Sequence, residues 1–448
     1  MKKIHIIISV ALSLASCNKY LDVKPEKSLQ VPQTVKDLQA ILDNNTIMNN
    51  DYPGAGDIAS DYYYLTDAEW ARRDQVTRDD YTWFAQAENE RDYLFNYTKI
   101  LYANVVLNAI DDAELKGYKE SDRANVKGSA LFFRGFIHWY LTQVFTLPYN
   151  REHAATMLGM PLKTRADINE KTVRSSLETT YRQVLNDLTA AAALLPVNAI
   201  TPTRPSKRAA YAALSRVYLT MDDFIHAGAY ADSCLQLNDD LLDFNALDAS
   251  LPAPIELFNK EVIFHATFYS GGALANVRTL VNPTLYESYV TGDLRKTVFY
   301  RSVENGYTFQ GDYSGSVSGA LFSGIANDEL YLTLAECYAR QGKDAEARDV
   351  LNRLLKMRIS REVFIPIDET DAKTLLQIIL KEREKELAFR GGLRWMDLRR
   401  LTKDADFNTT LQRNLDGKLY TLSPQDKRFA FLIPSIVVQE TGIQQNER

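Results

Sequence analysis

Residues 211–235 read YAALSRVYLTMDDFIHAGAYADSCL, and residues 331–355 read YLTLAECYARQGKDAEARDVLNRLL. The two stretches carry similar residues at corresponding positions, offset by 120 residues. These positions are Tyr211, Leu214, Ser215, Tyr218, Ala227, Ala231 and Cys234 in the first stretch, and Tyr331, Leu334, Ala335, Tyr338, Ala347, Leu351 and Leu354 in the second. Small residues let two antiparallel helices approach, and a glycine such as Gly342 permits the tight turn between them. Each stretch therefore predicts a pair of packed helices.

The spacing within these pairs is typical of tetratricopeptide repeats. Because one such pair cannot bury its own apolar face, several pairs must stack. Apolar periodicity predicts further helices, which are candidates for degenerate pairs. They cover 97–112, 122–145 with Ser121 as the N-cap, and 175–195, which Pro196 ends, before helix resumes at Arg208. We expect a mostly α fold in which tetratricopeptide-like helix pairs form a right-handed scaffold.

Two long segments differ in composition from this helical frame, which we place at about 95–235 and 326–400. Residues 44–90 and 236–325 contain weakly periodic stretches of polar and aromatic residues, with short β-like pieces such as 261–268. Long structured loops of this kind usually carry function. They predict an irregular ligand face with a few short strands.

The N-terminus has the pattern of an exported lipoprotein. Lys2 and Lys3 precede an apolar run over 4–15, which is shorter than the roughly 20 residues of a transmembrane helix. Leu14-Ala15-Ser16-Cys17 resembles a bacterial lipobox, so 1–16 is predicted to be a signal peptide and 17–448 a single mature domain. Acyl chains on Cys17 would tether the protein to a membrane. The alternative is an ordinary signal peptide with a cysteine nearby by chance.

The composition indicates a globular protein and limits the classes of partner that it can bind. Of the 448 residues, 46% are hydrophobic and 25% are charged, and the net charge is −6. An acidic chain without a dense Lys or Arg cluster argues against a nucleic-acid partner. The histidines form no metal-ligand spacing and no cofactor motif occurs, so we expect neither metal nor cofactor. Cys234 and Cys337 are predicted to be buried thiols rather than a disulfide.

The densest charge pattern lies at 381–400, KEREKELAFRGGLRWMDLRR. A catalytic interpretation would pair Glu386 or Glu382 with Asp397 as acid and base, with Arg394 stabilising charge. The interpretation we favour is a solvated helix face with ion pairs such as Glu386 to Arg390. The apolar residues then pack inward; they are Leu387, Phe389, Trp395 and Leu398. With no enzyme motif elsewhere, the sequence predicts a protein that is not an enzyme.

Aromatic residues cluster in the first irregular segment, among carboxylates and guanidinium groups. They are Tyr62, Tyr63, Tyr64, Trp70, Tyr81 and Trp83. A sugar ring offers C–H patches to an aromatic face and hydroxyl groups to polar side chains, so such a cluster suits carbohydrate without catalysis. Alternatively, any one of these rings packs a loop onto the helical frame.

Taken with the lipobox and the repeats, several motifs resemble the SusD/RagB family of outer-membrane nutrient-binding lipoproteins. The resemblance runs the length of the chain. The motifs are SCNKYLDVKPE (16–26), ANVKGSALFFRGFIHWYLTQVFTLPY (124–149), RAAYAALSRVYLTMDDFIHAGAYAD (208–232), EREKELAFRGGLRWMDLRRL (382–401) and FLIPSIVVQETGIQQNER (431–448). One departure is local: Arg390-Gly391-Gly392-Leu393 precedes the Arg394-Trp395 pair, where the family often has one residue fewer between glycine and arginine.

The resemblance implies a non-catalytic lipoprotein on the outer membrane, facing outward. It would deliver oligosaccharides, or peptides in some members, to a SusC-type TonB-dependent transporter, which the helical side would contact. Family ligand sites correspond here to 57–90 and 270–320. Trp83 is the first candidate for a stacking platform, and the other candidates are Asp61, Tyr63, Trp70, Arg73, Tyr286 and Tyr313. A lipid-anchored scaffold that holds only a protein partner is a further alternative.

Overall fold

The computed structural model describes residues 32–167, 169–316 and 320–448. The predicted signal peptide and Cys17 lie outside these ranges. The described residues form seventeen α-helices. They are α1 Val35–Leu42, α2 Asn45–Met48, α3 Ala55–Ala59, α4 Asp67–Ala71, α5 Gln75–Tyr81, α6 Glu90–Ala109, α7 Glu120–Phe145, α8 Leu177–Leu194, α9 Lys207–Thr220, α10 Phe224–Leu237, α11 Pro283–Glu287, α12 Arg295–Val298, α13 Asn327–Arg340, α14 Asp344–Leu355, α15 Ala372–Glu386, α16 Leu393–Arg400 and α17 Ser435–Thr441.

The strands are short and pair two by two in antiparallel fashion. The pairs are β1 Tyr63–Tyr64 with β6 Leu280–Val281, β2 Leu158–Pro161 with β3 Arg174–Ser176, β4 Val262–Phe264 with β10 Ile325–Ala326, β5 Thr267–Phe268 with β9 Leu321–Phe322, β7 Tyr300–Val303 with β8 Gly306–Phe309, and β11 Leu411–Leu415 with β12 Lys418–Leu422. The predicted mostly α fold with a few short strands is confirmed.

The long helices stack in the order α6, α7, α8, α9, α10, α13 and α14, with α15 also packed on α13. The two repeat pairs, α9–α10 and α13–α14, are therefore neighbours in space although 120 residues apart. At their contact, a Cβ added to Gly228 would lie 3.0 Å from the Cβ of Cys337. Gln341 Nε2 also donates to the carbonyl oxygen of Phe224 at 3.1 Å. The prediction of stacked helix pairs is confirmed, and both described cysteines are buried free thiols as expected.

The helix boundaries follow local capping. Ser176 and Ser206 accept backbone N–H groups at the starts of α8 and α9. Ser121 does not cap α7, contrary to prediction, because the helix begins at Glu120, two residues before the predicted start, with Lys119 as the N-cap. There, the Lys119 backbone N–H donates to the Asp122 carboxylate at 2.7 Å.

The segment 44–90 is more regular than predicted, since it contains α2 to α5 rather than open loops. These helices are four to seven residues long, too short for a strong apolar period. The segment 236–325 folds over α13 and α15 with strands β4 to β10. One hydrophobic core extends from Val35 to Ile443. No helix among the described residues is long and apolar enough to cross a membrane.

The charged residues of 381–400 are mostly buried, so the prediction of a solvated helix face is wrong. Glu386 is fully buried and accepts from Arg358 at 2.6 Å and from Arg295 at 3.1 Å. Arg390 pairs with Asp328 rather than with Glu386. The folded-over segment 236–325 covers this face and supplies part of its partners. The inward packing predicted for the apolar residues is confirmed for Leu387, Phe389, Trp395 and Leu398.

Candidate functional site

A cleft of about 220 Å³ opens on the face formed by the irregular segments. Strand β1, the turn after α5, the start of α11 and the hairpin β11–β12 meet there. The lining residues are Asp61, Tyr63, Tyr64, Leu65, Tyr81, Trp83, Asn282, Pro283, Leu411, Gln412, Arg413, Asn414 and Leu415. Three of the predicted site residues, Asp61, Tyr63 and Trp83, therefore share one cleft.

Arg413 lies among the aromatic rings of this cleft. Its guanidinium carbon is 3.4 Å from the centre of the Tyr81 ring, 4.9 Å from that of Trp83 and 5.4 Å from that of Tyr63. Nη2 donates to the carbonyl oxygens of two residues, Ser60 at 2.6 Å and Ile58 at 3.2 Å. Nη1 is buried and has no hydrogen-bond partner in the described structure. The rings thus hold a cation whose hydrogen-bonding capacity is only partly used.

Asp61 supplies the acidic side of the cleft but is already paired. Both of its oxygens accept from Arg394, each at 2.7 Å. Burial alone would raise the pKa of Asp61, but the Arg394 guanidinium holds this pKa below its usual value. Asn282 Nδ2 donates to the Asp61 carbonyl oxygen at 3.0 Å and so joins α11 to the same loop. Asp61 is therefore a fixed anion with its charge compensated.

Trp83 lines the cleft without forming an open platform. Its side chain is 2% exposed, its indole N–H donates to the Ala59 carbonyl oxygen at 2.9 Å, and Arg413 lies near its ring. The residue has φ +52°, a left-handed conformation that bulky side chains rarely adopt. The structure therefore corrects the expected role of Trp83, since the buried ring offers no face to a ligand and instead helps to enclose Arg413.

Tyr63 is also buried, and its hydroxyl donates to the Ile58 carbonyl oxygen at 2.8 Å. Burial raises the pKa of Tyr63 well above its usual value, so the hydroxyl stays protonated. Its neighbour Tyr64 alternates to the other side of the strand and is half-buried. Tyr64 is the more accessible ring of the cleft.

Trp70 and Arg73 flank the cleft rather than line it. The Trp70 ring contacts Tyr420 of β12, with 6.4 Å between ring centres. Arg73 Nε donates to the Glu69 carbonyl oxygen at 3.0 Å, within the same turn of chain. The Asp416 backbone N–H donates to the Asp67 carboxylate at 3.1 Å, which fastens the hairpin tip to α4. Trp70 and Asp67 therefore support the position of the hairpin, whereas Arg73 pairs with Glu69.

Tyr286 and Tyr313 lie in different surroundings. Tyr286 follows the cleft residues Asn282 and Pro283 on α11 and stacks on Tyr307, with 3.5 Å between ring centres. Tyr313 is fully buried, and its hydroxyl donates to the Glu261 carboxylate at 2.5 Å. The Tyr313 prediction is corrected, because its ring belongs to the core beneath Arg390 and is not available to a ligand.

The sequence analysis missed the hairpin that supplies Arg413, Gln412 and Asn414. The signal was present: residues 411–422 read LQRNLDGKLYTL, and the Asp416-Gly417 dipeptide between two short leucine-containing segments is typical of a hairpin turn. Both turn residues have positive φ, at +49° and +76°. Gln412 and Asn414 are exposed and bring amide donors and acceptors to the rim of the cleft.

The catalytic interpretation of 381–400 finds no free acid and base. Both Glu386 oxygens accept from arginines, and Asp397 lies between Arg383 at 2.9 Å and Arg400 at 2.8 Å. Glu382 also pairs with Arg295, at 2.6 Å. Across the described ranges, no group of three or more His, Cys, Asp or Glu side chains is arranged to hold a metal ion.

Comparisons with known proteins agree with this fold. Solved structures are similar over almost the whole chain. A candidate sugar-binding protein of Bacteroides vulgatus ATCC 8482 has a TM-score of 0.76 at 20% identity, covering 93% of this chain and 99% of its own. A SusD superfamily protein of Bacteroides thetaiotaomicron VPI-5482 has a TM-score of 0.72 at 22% identity, and the match covers 93% of this chain and 100% of that protein. A SusD-like carbohydrate binding protein of B. vulgatus ATCC 8482 has a TM-score of 0.70 at 21% identity, and the match covers 91% of this chain and 96% of that protein.

Family models match two parts of the sequence. One, described as "Starch-binding associating with outer membrane", matches residues 19–219, and the SusD family model matches residues 328–429. Comparison with curated protein sequences finds no match. The first match includes the whole segment 44–90 and the helices α6 to α9 up to residue 219, and the second includes α13 from residue 328, α14 to α16 and the Arg413 hairpin. The chain belongs to the SusD/RagB family.

Proposed function

We propose that the protein binds oligosaccharides in the cleft between β1 and the β11–β12 hairpin. One observation carries the proposal: Asp61, Tyr63 and Trp83 form the wall of one cleft, and more accessible aromatic and amide groups line its rim. Around them the rim offers the half-buried Tyr64 ring and the hairpin amides. An aromatic ring beside fixed polar groups is suited to a sugar, which has both apolar C–H patches and hydroxyl groups. The name of the matching family model and those of the related structures also support carbohydrate.

Isothermal titration against a broad panel of oligosaccharides tests this proposal. Tyr64→Ala removes the accessible ring, and we expect the dissociation constant to rise about tenfold. Tyr102→Ala is the matched control, because Tyr102 is a half-buried tyrosine on α6, which lines no part of the cleft. Unchanged affinity in Tyr64→Ala, or an equal loss in both variants, would place the sugar elsewhere.

We propose further that acyl chains on Cys17 anchor the protein in the outer membrane, facing outward. The lipobox sequence supports this, as does the outer-membrane association stated for the matching family model. Mass spectrometry of the mature N-terminus should find an acylated cysteine, and Cys17→Ser should release the protein from the membrane fraction. A free, unmodified N-terminus would contradict the anchor. Protease treatment of intact cells tests the outward orientation.

The partner we propose is a SusC-type TonB-dependent transporter, contacted by the helical side. Helix α6 exposes Leu94, Phe95 and Leu101, at 40%, 48% and 37% of their surface, on one side of the helix. Apolar residues grouped in this way are typical of protein contacts. We expect Phe95→Glu with Leu101→Glu to reduce co-purification of the transporter while sugar binding by the isolated protein is unchanged. Undiminished co-purification would exclude α6 from the interface.

Three alternatives give different results in the same experiments. Binding of short peptides but of no oligosaccharide would favour a RagB-like peptide carrier. Transporter association with no nutrient binding at all would favour a protein scaffold. The proposed function includes no catalysis. If the pure protein turned over a glycan, and if Glu386→Gln or Asp397→Asn abolished that turnover, the proposal of a non-catalytic protein would be contradicted.

A further inference from the structure

Arg413 differs from most buried arginines of the described chain in having no carboxylate partner. Seven of them, among which are Arg216 and Arg400, form ion pairs with Asp or Glu. No acidic oxygen lies within 4.0 Å of Arg413, Arg208 or Arg399 in the described structure. A charge buried without a partner of opposite sign is unfavourable unless another group compensates it.

These three arginines differ in their surroundings. Arg399 donates to carbonyl oxygens of Phe429, Thr142 and Thr146, and Arg208 donates to asparagines. Neither of them lines the cleft, whereas Arg413 does. Its side chain is 8% exposed, and its Nη1 has no acceptor. Of the three arginines without an ion pair, Arg413 is therefore the one that lines the cleft.

The surroundings of Arg413 fix the direction of its free nitrogen. Tyr81 stacks on the guanidinium, and two carbonyl oxygens hold Nη2, so the group cannot turn freely. Asp61 makes no ion pair with Arg413, because both of its oxygens are bound to Arg394 and neither lies within 4.0 Å of Arg413. The free Nη1 of a guanidinium held in this way can donate a charge-assisted hydrogen bond to a carboxylate oxygen.

We infer that the cleft prefers an anionic oligosaccharide and that Arg413 binds the carboxylate of a uronic acid residue. The inference rests on the proposed function, since it names the class of sugar that the same cleft takes. The cleft, at about 220 Å³, is smaller than the roughly 300–1,000 Å³ of sites for drug-sized ligands. It therefore takes one sugar residue of a chain rather than a long segment.

The test compares each uronate oligomer with its methyl ester, which keeps the sugar skeleton and removes the charge. Suitable probes are oligomers of galacturonate, glucuronate and mannuronate, with neutral oligomers of glucose and galactose alongside. We expect at least one free acid to bind about tenfold or more tightly than its ester, as charge-assisted hydrogen bonds do. This preference should weaken as NaCl is raised. Equal binding of acid and ester would overturn the inference.

Arg413→Gln should lose the preference for the acid over the ester. Lys418→Gln is the matched control: it removes one positive charge from the same hairpin, at an exposed position outside the cleft, and should keep the preference for the acid. A preference retained in Arg413→Gln would overturn the assignment. If circular dichroism shows that Arg413→Gln is unfolded, the acid and ester comparison on the natural chain decides alone.

The remaining outcomes separate this inference from the proposed function. Binding of neutral oligomers without any uronate preference would reject the anionic ligand and leave carbohydrate binding in place. Binding of acidic peptides, dependent on Arg413, with no sugar bound would reject the uronate and the proposed function together. Absence of binding to any oligosaccharide in the panel would contradict the proposed function as well.

Discussion

The Asp57 carboxylate accepts the backbone N–H of Gly392 with both oxygens, at 2.9 and 2.7 Å, across a sequence separation of 335 residues. Asp57 belongs to the short helix α3, and Gly392 precedes α16 with φ +74°. Both groups are buried. This contact joins the segment 44–90 to the RGG turn of the 381–400 segment, and so fixes the loop that carries Asp61.

We expect Asp57→Ala to lower the free energy of unfolding by about 1–3 kcal/mol, because it leaves the buried Gly392 N–H without an acceptor. Asp57→Asn is the control, since its side-chain carbonyl can still accept this N–H, and it should be less destabilising. Urea unfolding followed by circular dichroism measures both. Equal stability of the Ala and Asn variants would show that the contact contributes little.

A second prediction concerns the buried ion pairs formed by Glu336 with Arg400 and Arg340. Glu336 is fully buried and accepts from Arg400 with both oxygens, at 2.6 and 2.7 Å, and from Arg340 at 2.9 Å. Glu336→Gln removes a buried charge shared by two guanidinium groups; because Arg400 keeps its pair with Asp397, we expect the free energy of unfolding to fall by about 2–3 kcal/mol, below the roughly 3–5 kcal/mol of a fully broken buried pair.

The control for Glu336 is the pair Arg353–Asp239, whose side chains are both exposed. Asp239→Asn should change the free energy of unfolding by no more than about 1 kcal/mol, since solvent screens an exposed pair. The same denaturant titration compares the two variants. A small effect of Glu336→Gln, similar to that of Asp239→Asn, would contradict the importance of burial.

These residues illustrate what the sequence could and could not predict. The helix pairs at 211–235 and 331–355 were predictable because their small and apolar residues repeat at helical spacing within each pair. The ion-pair partners of the charged residues in 381–400 were not predictable, because a residue such as Glu386 pairs with Arg295, which lies 91 residues earlier in the chain. A local pattern of charges does not show whether a distant segment will cover it.

The candidate site was likewise predictable only in part from local sequence patterns. Asp61, Tyr63 and Trp83 were identified from residue type and from a family resemblance, and they do lie together. Their exposure was not predictable, because whether a ring faces solvent depends on the hairpin that folds over it. Arg413 covers part of Trp83 and comes from a hairpin more than 300 positions later in the chain. Only the hairpin itself had a local signal, Asp416-Gly417.

The turns inside the repeats give a third prediction. Gly342 joins α13 to α14 with φ +71°, and a Cβ added to it would meet no atom within 4 Å. Substitution therefore tests backbone strain without a steric clash. Gly342→Ala should lower the free energy of unfolding by about 1–2 kcal/mol.

Gly342→Asn should be less destabilising, because asparagine tolerates the left-handed region better. The equivalent turn of the other repeat pair supports this, since Asp222 occupies it with φ +59°. Differential scanning calorimetry of the two variants gives the order directly. If the Ala variant were the more stable of the two, backbone strain would not be the controlling factor at this turn.

The last prediction concerns acid stability and His138 in α7. This side chain is fully buried; its Nδ1 lies 2.9 Å from the Arg134 carbonyl oxygen, and its Nε2 has no partner in the described structure. Burial lowers the pKa of His138 to about 3 from a usual value near 6.5. Between these two pH values the unfolded chain binds a proton that the folded chain does not, so stability must fall as the pH falls through this window.

One proton changes the free energy of unfolding by about 1.4 kcal/mol per pH unit, so His138 should account for a loss of about 2 kcal/mol between pH 6.5 and pH 5. His138→Gln cannot bind this proton, and urea unfolding at a series of pH values should show a flatter acid limb for it. His153 is the control because its side chain is exposed, and His153→Gln should keep the natural slope. If the free energy of unfolding of His138→Gln fell with pH as steeply as that of the natural chain, the loss of stability in acid would belong to other groups. A shallower fall in the variant would confirm that α7 holds its histidine neutral.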